Sequence, residues 1–421
     1  MSSSAESNNK LSQLRSWLVS DKGNKALKLI GGIGVLCFAV LESMGPRNDL
    51  DIYLEAAKGM WNGRDIYTDT YFDGYHYYYS PLFAAVIYPL SILGSGVAKS
   101  FWILLNLLLL LRMYSVIEQY LTFPDKARQR WFALLMVLVS LRFVKDNLHY
   151  GQVTILIMYL CIEGLHTLRR GKNAGAWLIA LGINIKILPV VFLPYLLLRG
   201  EFKALGWIFA GLLCFHFLPM IFLSTPYFWD IQHSYFILIN PFRSAHLLDI
   251  EEASFHSLTT WVTVFFSPAM EQQGLTLRRH FMELSAAGVA FLIQFLRALL
   301  MLVTLWVMRQ RFFQRMSDSH DIWPEWSWLL ALIPLVFPHQ QHYAFLFALP
   351  LLLWLMHLWL KGRLIGWMKV ALVLISIVFN LSLWLGVGNG FYSHFKVVTW
   401  ATLLLLCVFL SLPKMEVAHK H

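Results

Sequence analysis

Residues Met44–Pro81, MGPRNDLDIYLEAAKGMWNGRDIYTDTYFDGYHYYYSP, are the first long polar interruption in a chain that is otherwise apolar over long runs. Within them Asp51, Glu55, Lys58 and Asn62 recur at helical spacing on one side. Ile52, Tyr53, Ala56, Ala57, Met60 and Trp61 form the opposing stripe. The pattern predicts a short helix lying flat on a membrane face, apolar side down and carboxylates toward water. Asp49 opens that helix. The loop carries the acids Asp49, Asp51, Glu55, Asp65, Asp69 and Asp73 against only Arg47, Lys58 and Arg64, which assigns it to the outer face by the positive-inside rule.

Composition agrees. Of 421 residues, 58% are hydrophobic and 14% charged, where a soluble globular protein would carry about 25% charged residues. Alternating ten-residue segments typical of membrane barrels are missing, so the chain reads as an all-α polytopic membrane protein. The net charge of +10 resides largely in short loops between apolar runs, a topological bias that calls for no nucleic acid. Cys37, Cys161, Cys214 and Cys407 all fall inside apolar runs and read as small buried hydrophobes, neither disulfides nor metal ligands. Residues 1–26 are Ser/Asn-rich, then basic and amphipathic, and read as a cytosolic lead-in without a cleavable signal peptide. Residues 27–413 read as a single integral membrane domain and 414–421 as a short tail.

Taken in order, the first span covers Leu27–Met44. Pro81–Leu93 is short for a crossing and is broken at Gly94–Gly96; Phe101–Leu111 and Trp131–Leu141 follow. Gln152–Leu168 ends at Arg169, Arg170 and Lys172, and Ala174–Leu198 ends at Arg199 and Lys203. Since both basic ends belong in the cytosol, Ala174–Leu198 reads as a hairpin broken around Lys186–Pro189. Ser224–His256 forms a second outer loop, and Trp326–Phe337 rises to Pro338-His339-Gln340-Gln341-His342. The pattern implies roughly ten to twelve spans.

Polar groups collect at the predicted outer ends of these spans: Asp49 and Asp51, Tyr75–Tyr79, Arg142 to His149, Lys186, Arg243, His246, His256, and His339 with His342. Ionisable groups near hydrocarbon are costly unless paired or lining a wet cavity, so their convergence suggests a site for an anionic head group. Plainer roles are open to each. Asp49 suits a helix N-terminus, Asp51 a solvated helix face, Lys186 a snorkelling position and Tyr75–Tyr79 an interfacial belt; Arg142, Lys145 and His149 suit ordinary loop charges. His339 and His342 have metal-pair spacing but no acidic partner nearby in sequence, so phosphate contact is expected ahead of a metal, with a satisfied interfacial histidine as the plainer role.

The motifs resemble those of glycosyltransferase family 87. They are Asp49-Leu50-Asp51-Ile52-Tyr53, Ala56-Ala57, Gly63-Arg64-Asp65-Ile66-Tyr67, Tyr79-Ser80-Pro81-Leu82-Phe83, Tyr88-Pro89-Leu90, Gly151-Gln152-Val153, Lys186-Ile187-Leu188-Pro189, and Phe337-Pro338 leading into His342-Tyr343. The resemblance implies a GT-C-type bundle with amphipathic helices in the first outer loop. It also implies inverting transfer of a hexose, mannose foremost, from a polyprenyl-phosphate donor to a glycolipid or glycan acceptor, without a cofactor. In that reading Asp49 is the general base, supported by Asp51. Lys186 and His342 stabilise the leaving phosphate, with His339 and Arg243 as helpers, while Tyr53, Tyr79, Gln152 and His256 line the substrate. The site would face the outer side of a bacterial inner membrane, among membrane lipids. One departure is Phe255-His256-Ser257-Leu258, where family members show an Asn-Gln-Ser-Leu type motif, which bears on the acceptor or the sugar. A polytopic transporter or flippase of lipid-linked glycans is the rival reading, since such proteins also place charges among broken helices.

Overall fold

A computed structural model of the protein describes residues 34, 36–72, 74–240, 254–267, 275–318, 321–385 and 389–412. Segments 1–26 and 414–421, Arg243 and His246 lie outside the described residues. The described chain is helical: α1 (Asp49–Trp61), α2 (Pro81–Ser91), α3 (Ser95–Glu118), α4 (Lys126–His149), α5 (Thr154–Arg169), α6 (Ala174–Ile185), α7 (Phe192–Leu198), α8 (Phe202–Phe217), α9 (Thr225–Ile239), α10 (Leu258–Phe266), α11 (Ala286–Met308), α12 (Trp323–Val336), α13 (Leu349–Leu360), α14 (Gly366–Leu385), α15 (Asn389–His394) and α16 (Val397–Leu410). Isolated bridges at Tyr71–Tyr75 and Phe255–Gln341 are its β-type pairings among the described residues.

Four stretches are long and apolar enough to cross a bilayer: Ser95–Glu118, Phe202–Ile221, Ala286–Arg311 and His342–Leu360. Pro81–Ser91, Ala174–Ile185, Leu188–Leu198, Gly366–Asn380 and Val397–Leu410 are shorter apolar helices. The protein is therefore an all-α polytopic membrane protein. Apolar side chains clothe its outside. On α11 Val289, Ile293 and Met308 are buried, whereas Phe291, Met301 and Leu302 are exposed, as expected of a helix that meets lipid on most of its surface.

Several breaks explain why apolar runs count poorly as spans. With 11 residues, α2 is only about 16 Å long and packs along α1. Lys186 leaves the helix at φ −149°, ψ 126°, and a 3-10 turn over Leu188–Val191 precedes α7. Pro189 cannot donate to that ladder and disfavours helix in the residue before it, so the chain breaks where the sequence indicates. Two regions depart from expectation. The helix expected to end at Leu141 continues to His149, so Arg142, Lys145 and His149 are helical positions; buried Arg142 reaches Asp146 one turn on, at 3.6 Å. The second outer loop also contains a 15-residue helix, α9.

Three elements set the axis of the molecule. The 24 residues of α4 span about 36 Å. At its first turns Arg128 donates to the Leu360 carbonyl at 3.1 Å, and Lys361 nearby donates to Thr122 Oγ1 at 2.7 Å. Toward its last turn the His149 carbonyl accepts from Asn48 Nδ2 at 2.8 Å, and Asp146 meets His342. From this second end α5 runs to Arg169 and α13 runs to Lys361. One pole thus gathers basic turns and the other gathers the predicted site residues.

Candidate functional site

The site begins at the N-terminus of α1. Asn48 is its N-cap: the side chain accepts from Leu50 N at 3.2 Å, and the Asn48 N–H donates to Asp51 Oδ2 at 2.9 Å, completing a capping box. Asp49 is the next residue, so the capping task that might have explained it belongs to its neighbour. The Asp49 N–H donates to the Tyr150 carbonyl at 3.2 Å, and the Gln152 amide donates to the half-buried Asp49 carboxylate. Both contacts come from the turn between α4 and α5. Gly151 lets that turn close in: its φ is +66°, and a Cβ there would lie 2.7 Å from Leu50 Cβ.

Asp51 was expected to face water and to share the chemistry, but its position corrects the first expectation. It is 5% exposed, and its oxygens accept from Asn48 N–H, Ser95 Oγ and, at 3.0 Å, Lys99 Nζ. Lys99 also donates to the Pro46 carbonyl at 2.7 Å, pinning the start of α1 to α3. The helical period tells which face Asp51 occupies; it does not tell that α3 covers that face.

Beside Asp49, the hydroxyls of Tyr53 and Tyr79 meet at 3.0 Å. Burial, ahead of the neighbouring Tyr79 and Asp49 groups, pushes the Tyr53 hydroxyl well above its ordinary range, so it keeps its proton. The Tyr75–Tyr79 run divides. Tyr75 and Tyr78 are exposed, whereas Tyr77 and Tyr79 are buried, with Tyr79's carbonyl held by Tyr67 OH at 2.8 Å. Ser80 caps α2 and donates to Asn184 Oδ1 at 2.9 Å, tying this wall to the end of α6. There Lys186 carries its ammonium 5.4 Å from the Tyr79 ring centroid, within electrostatic reach of Asp49.

Tyr150 links this group to a second one. Its ring lies 6.2 Å from His342 and 6.1 Å from Tyr343. His342 opens a 3-10 turn, and its Nε2 lies 2.8 Å from Asp146 Oδ2. An ionised carboxylate only accepts, so Nε2 carries the hydrogen and Nδ1 is left for another partner. His256 sits 6.4 Å from His342, ring to ring, and its backbone N–H donates to the Gln340 carbonyl at 2.7 Å. Burial first, then Lys396, His342 and Arg142, hold His256 well below the usual imidazole range, so it is neutral near pH 7. His339 adopts a left-handed backbone, φ +57°, and its ring contacts Phe255 at 5.1 Å. The departing Phe255-His256-Ser257-Leu258 stretch therefore docks on the 338–342 turn, and Ser257 caps α10.

Asp49, Tyr53, Tyr79, Gln152 and Lys186 thus come together, and His256, His339 and His342 gather on the far side of Tyr150. Sequence reasoning missed Asn48, Asp146, Tyr150, Tyr392 and Lys396. Asp146 and Tyr150 lie in or beside the polar Arg142–His149 run, a usable signal; Tyr392 and Lys396 carried none. Among the described residues no three His, Cys, Asp or Glu side chains converge as a metal set.

A polyprenol-phosphate-mannose-dependent alpha-(1-2)-phosphatidylinositol mannoside mannosyltransferase of Mycobacterium tuberculosis is 27% identical over 200 residues, 42% of this chain and 46% of that protein. The Mycolicibacterium smegmatis protein of the same description is 26% identical over 199 residues, 42% of this chain and 44% of its own length. The chain thus spans less than half the length of either relative. The sequence profile of glycosyltransferase family 87 matches residues 77–320, which takes in Tyr79, Gln152, Lys186 and His256 but neither Asp49 nor His342. That match covers more than half of the sequence, and the chain belongs to glycosyltransferase family 87.

Proposed function

We propose that this protein transfers a hexose, mannose foremost, from a polyprenyl-phosphate donor to a hydroxyl of a glycolipid or glycan acceptor. The observation that carries the reading is the Asp49 carboxylate, half-buried and held by a neutral amide, beside the Tyr53–Tyr79 pair and within reach of Lys186. A half-buried carboxylate at this position can serve as base once an acceptor hydroxyl comes within hydrogen-bond distance of it. Asp49 accepts the proton of the acceptor hydroxyl as its oxygen bonds to the anomeric carbon. The bond from that carbon to the phosphate oxygen breaks, and its electrons leave with the polyprenyl phosphate. Lys186 and His342 stabilise the charge on that phosphate, with His339 beside them and Arg243 as a further candidate. Attack opposite the leaving group inverts the anomeric centre in one displacement. Asp51, fixed by Lys99, holds the start of α1 in place. Tyr53, Tyr79 and Gln152 line the sugar side and His256 the far side.

The relatives' descriptions favour mannose and a phosphatidylinositol-based acceptor. The outer face of a bacterial inner membrane is favoured by polarity: the site lies about 36 Å along α4 from the basic turns at Arg128 and Lys361. The proposed chemistry uses no metal. Purified protein incubated with a panel of polyprenyl-phosphate sugars and a glycolipid acceptor should release the free carrier with one sugar and lose none of that activity to chelator. Lys186→Ala should weaken donor affinity more than acceptor affinity. Carrier release with no member of the panel would defeat the reading.

A further inference from the structure

The last turn of α4 meets both halves of the site. Toward the base, the Tyr150 carbonyl accepts from Asp49 N–H at 3.2 Å and the His149 carbonyl from Asn48 Nδ2 at 2.8 Å. Toward the phosphate side, Asp146 Oδ2 lies 2.8 Å from His342 Nε2, and Asn147 Nδ2 donates to the Tyr343 carbonyl at 3.0 Å. Backbone bonds lock the two directions together. Tyr150 N–H donates to the Asp146 carbonyl and Gln152 N–H to the Asn147 carbonyl, each at 2.9 Å. Asp146 and Asn147 are buried, and neither enters the reaction proposed above.

The Asp146 carboxylate has three basic neighbours, and they are not equal. His342 is the nearest, with Lys145 at 3.4 Å and Arg142 at 3.6 Å. Lys145 and Arg142 belong to α4 itself, so of the three only His342 ties Asp146 to another element. The His342 side chain is 18% exposed, and its Nδ1 makes no hydrogen bond among the described residues. A neutral ring that gives its hydrogen to Asp146 presents only a lone pair at Nδ1, which an anionic phosphate repels. In the imidazolium both nitrogens donate, Nε2 to Asp146 and Nδ1 to the phosphate, and the carboxylate balances the added charge. Which nitrogen faces a ligand is set by the bond that the other one makes. We propose that Asp146 is a positioning residue for sugar transfer: it fixes the His342 ring and balances its charge so that Nδ1 meets the leaving phosphate. This rests on the transferase reading and on the role given there to His342, through which alone Asp146 acts.

A double-mutant cycle on the full-length protein in detergent tests this. The rate is carrier release from the polyprenyl-phosphate sugar that the panel above selects, taken per folded molecule. Asp146→Asn should lower kcat/KM for the donor by about ten- to a hundredfold, the loss of a charge-assisted bond, and leave the acceptor KM unchanged. In a His342→Ala background the same substitution should cost less than about twofold, because a residue acting through His342 has nothing left to act on. A substitution that only loosened the fold would multiply with His342→Ala and would reach the acceptor KM as well. Asp146→Ser takes the place of the amide variant in the cycle if that variant does not fold. Losses that multiply, or an Asp146→Asn enzyme as fast as wild type, overturn the role of Asp146 and leave the transferase reading standing. If His342→Ala transfers as fast as wild type, His342 and Asp146 both leave the phosphate side while Asp49 keeps its assignment. If wild type releases carrier from no member of the panel, the transferase reading fails and Asp146 falls with it.

Discussion

Glu325 and Asp49 are acids at opposite poles of the bundle, and their surroundings differ in kind. Glu325, 4% exposed, accepts from Tyr195 OH at 3.0 Å and from Arg311 at 2.8 Å, with Arg199 at 3.8 Å. Tyr195 in turn accepts from Trp326 Nε1 at 3.0 Å. Two guanidiniums and a phenol surround that carboxylate, and it ties α7 and the 309–318 segment to the start of α12. Asp49 is half-buried and its carboxylate is steered by the neutral Gln152 amide. Asp51, two residues on, sides with Glu325: it is buried and paired with Lys99. The lesson is that burial of an acid says little about function until its partners are known. Direct ion pairs make Glu325 and Asp51 braces, whereas the Asp49 carboxylate meets the Gln152 amide, and Asp49 is the acid proposed above as proton acceptor.

This contrast can be broken by substitution. Asp49→Asn should cut sugar transfer by about a hundred- to ten-thousandfold while leaving the unfolding temperature in detergent unchanged. A fully active Asp49→Asn enzyme would erase the distinction. Glu325→Gln should do the reverse. With Arg199 and Arg311 left uncompensated, stability should fall by about 3 kcal/mol, read by denaturant or thermal unfolding, while the folded fraction keeps its specific activity. Gly151→Ala tests whether the neutral steering of Asp49 depends on the close turn. Its clash with Leu50 and its positive φ should cost about 1–3 kcal/mol, appearing as lost activity together with a modest drop in unfolding temperature. The smallest effect should come from Tyr53→Phe, which removes one hydroxyl from the pair with Tyr79. A change in transfer rate of about 1 kcal/mol in barrier is expected; a larger loss would make the phenol a participant in the chemistry.

How much of this was legible beforehand depended on the range of the interaction. The α1 helix, the break at Pro189 and the overall membrane class follow from local period, proline chemistry and composition, and all could be read off the chain. The burial of Asp51 could not, because Ser95 and Lys99, which cover it, lie some forty residues downstream. Asp49 stood out through its motif rather than through any physical signature, since an acid at a helix start is ordinary. Tyr392 and Lys396 were invisible for the same reason in sharper form. Tyr392 sits in the six-residue helix α15 and Lys396 in the turn after it, both too short to show a period, and their meaning arises only from contacts with Arg142 and His256, more than a hundred residues away.

The tripeptide 150–152 supplies the carbonyl that receives the Asp49 N–H, the glycine against which Leu50 packs, and the amide that grips the carboxylate. Three adjacent residues therefore act as a ruler between two helices. A deletion or an insertion of a single residue there would swing Gln152 away from Asp49. Chains that run the same chemistry should accordingly tolerate many substitutions in the flanking helices but no change of length at this corner.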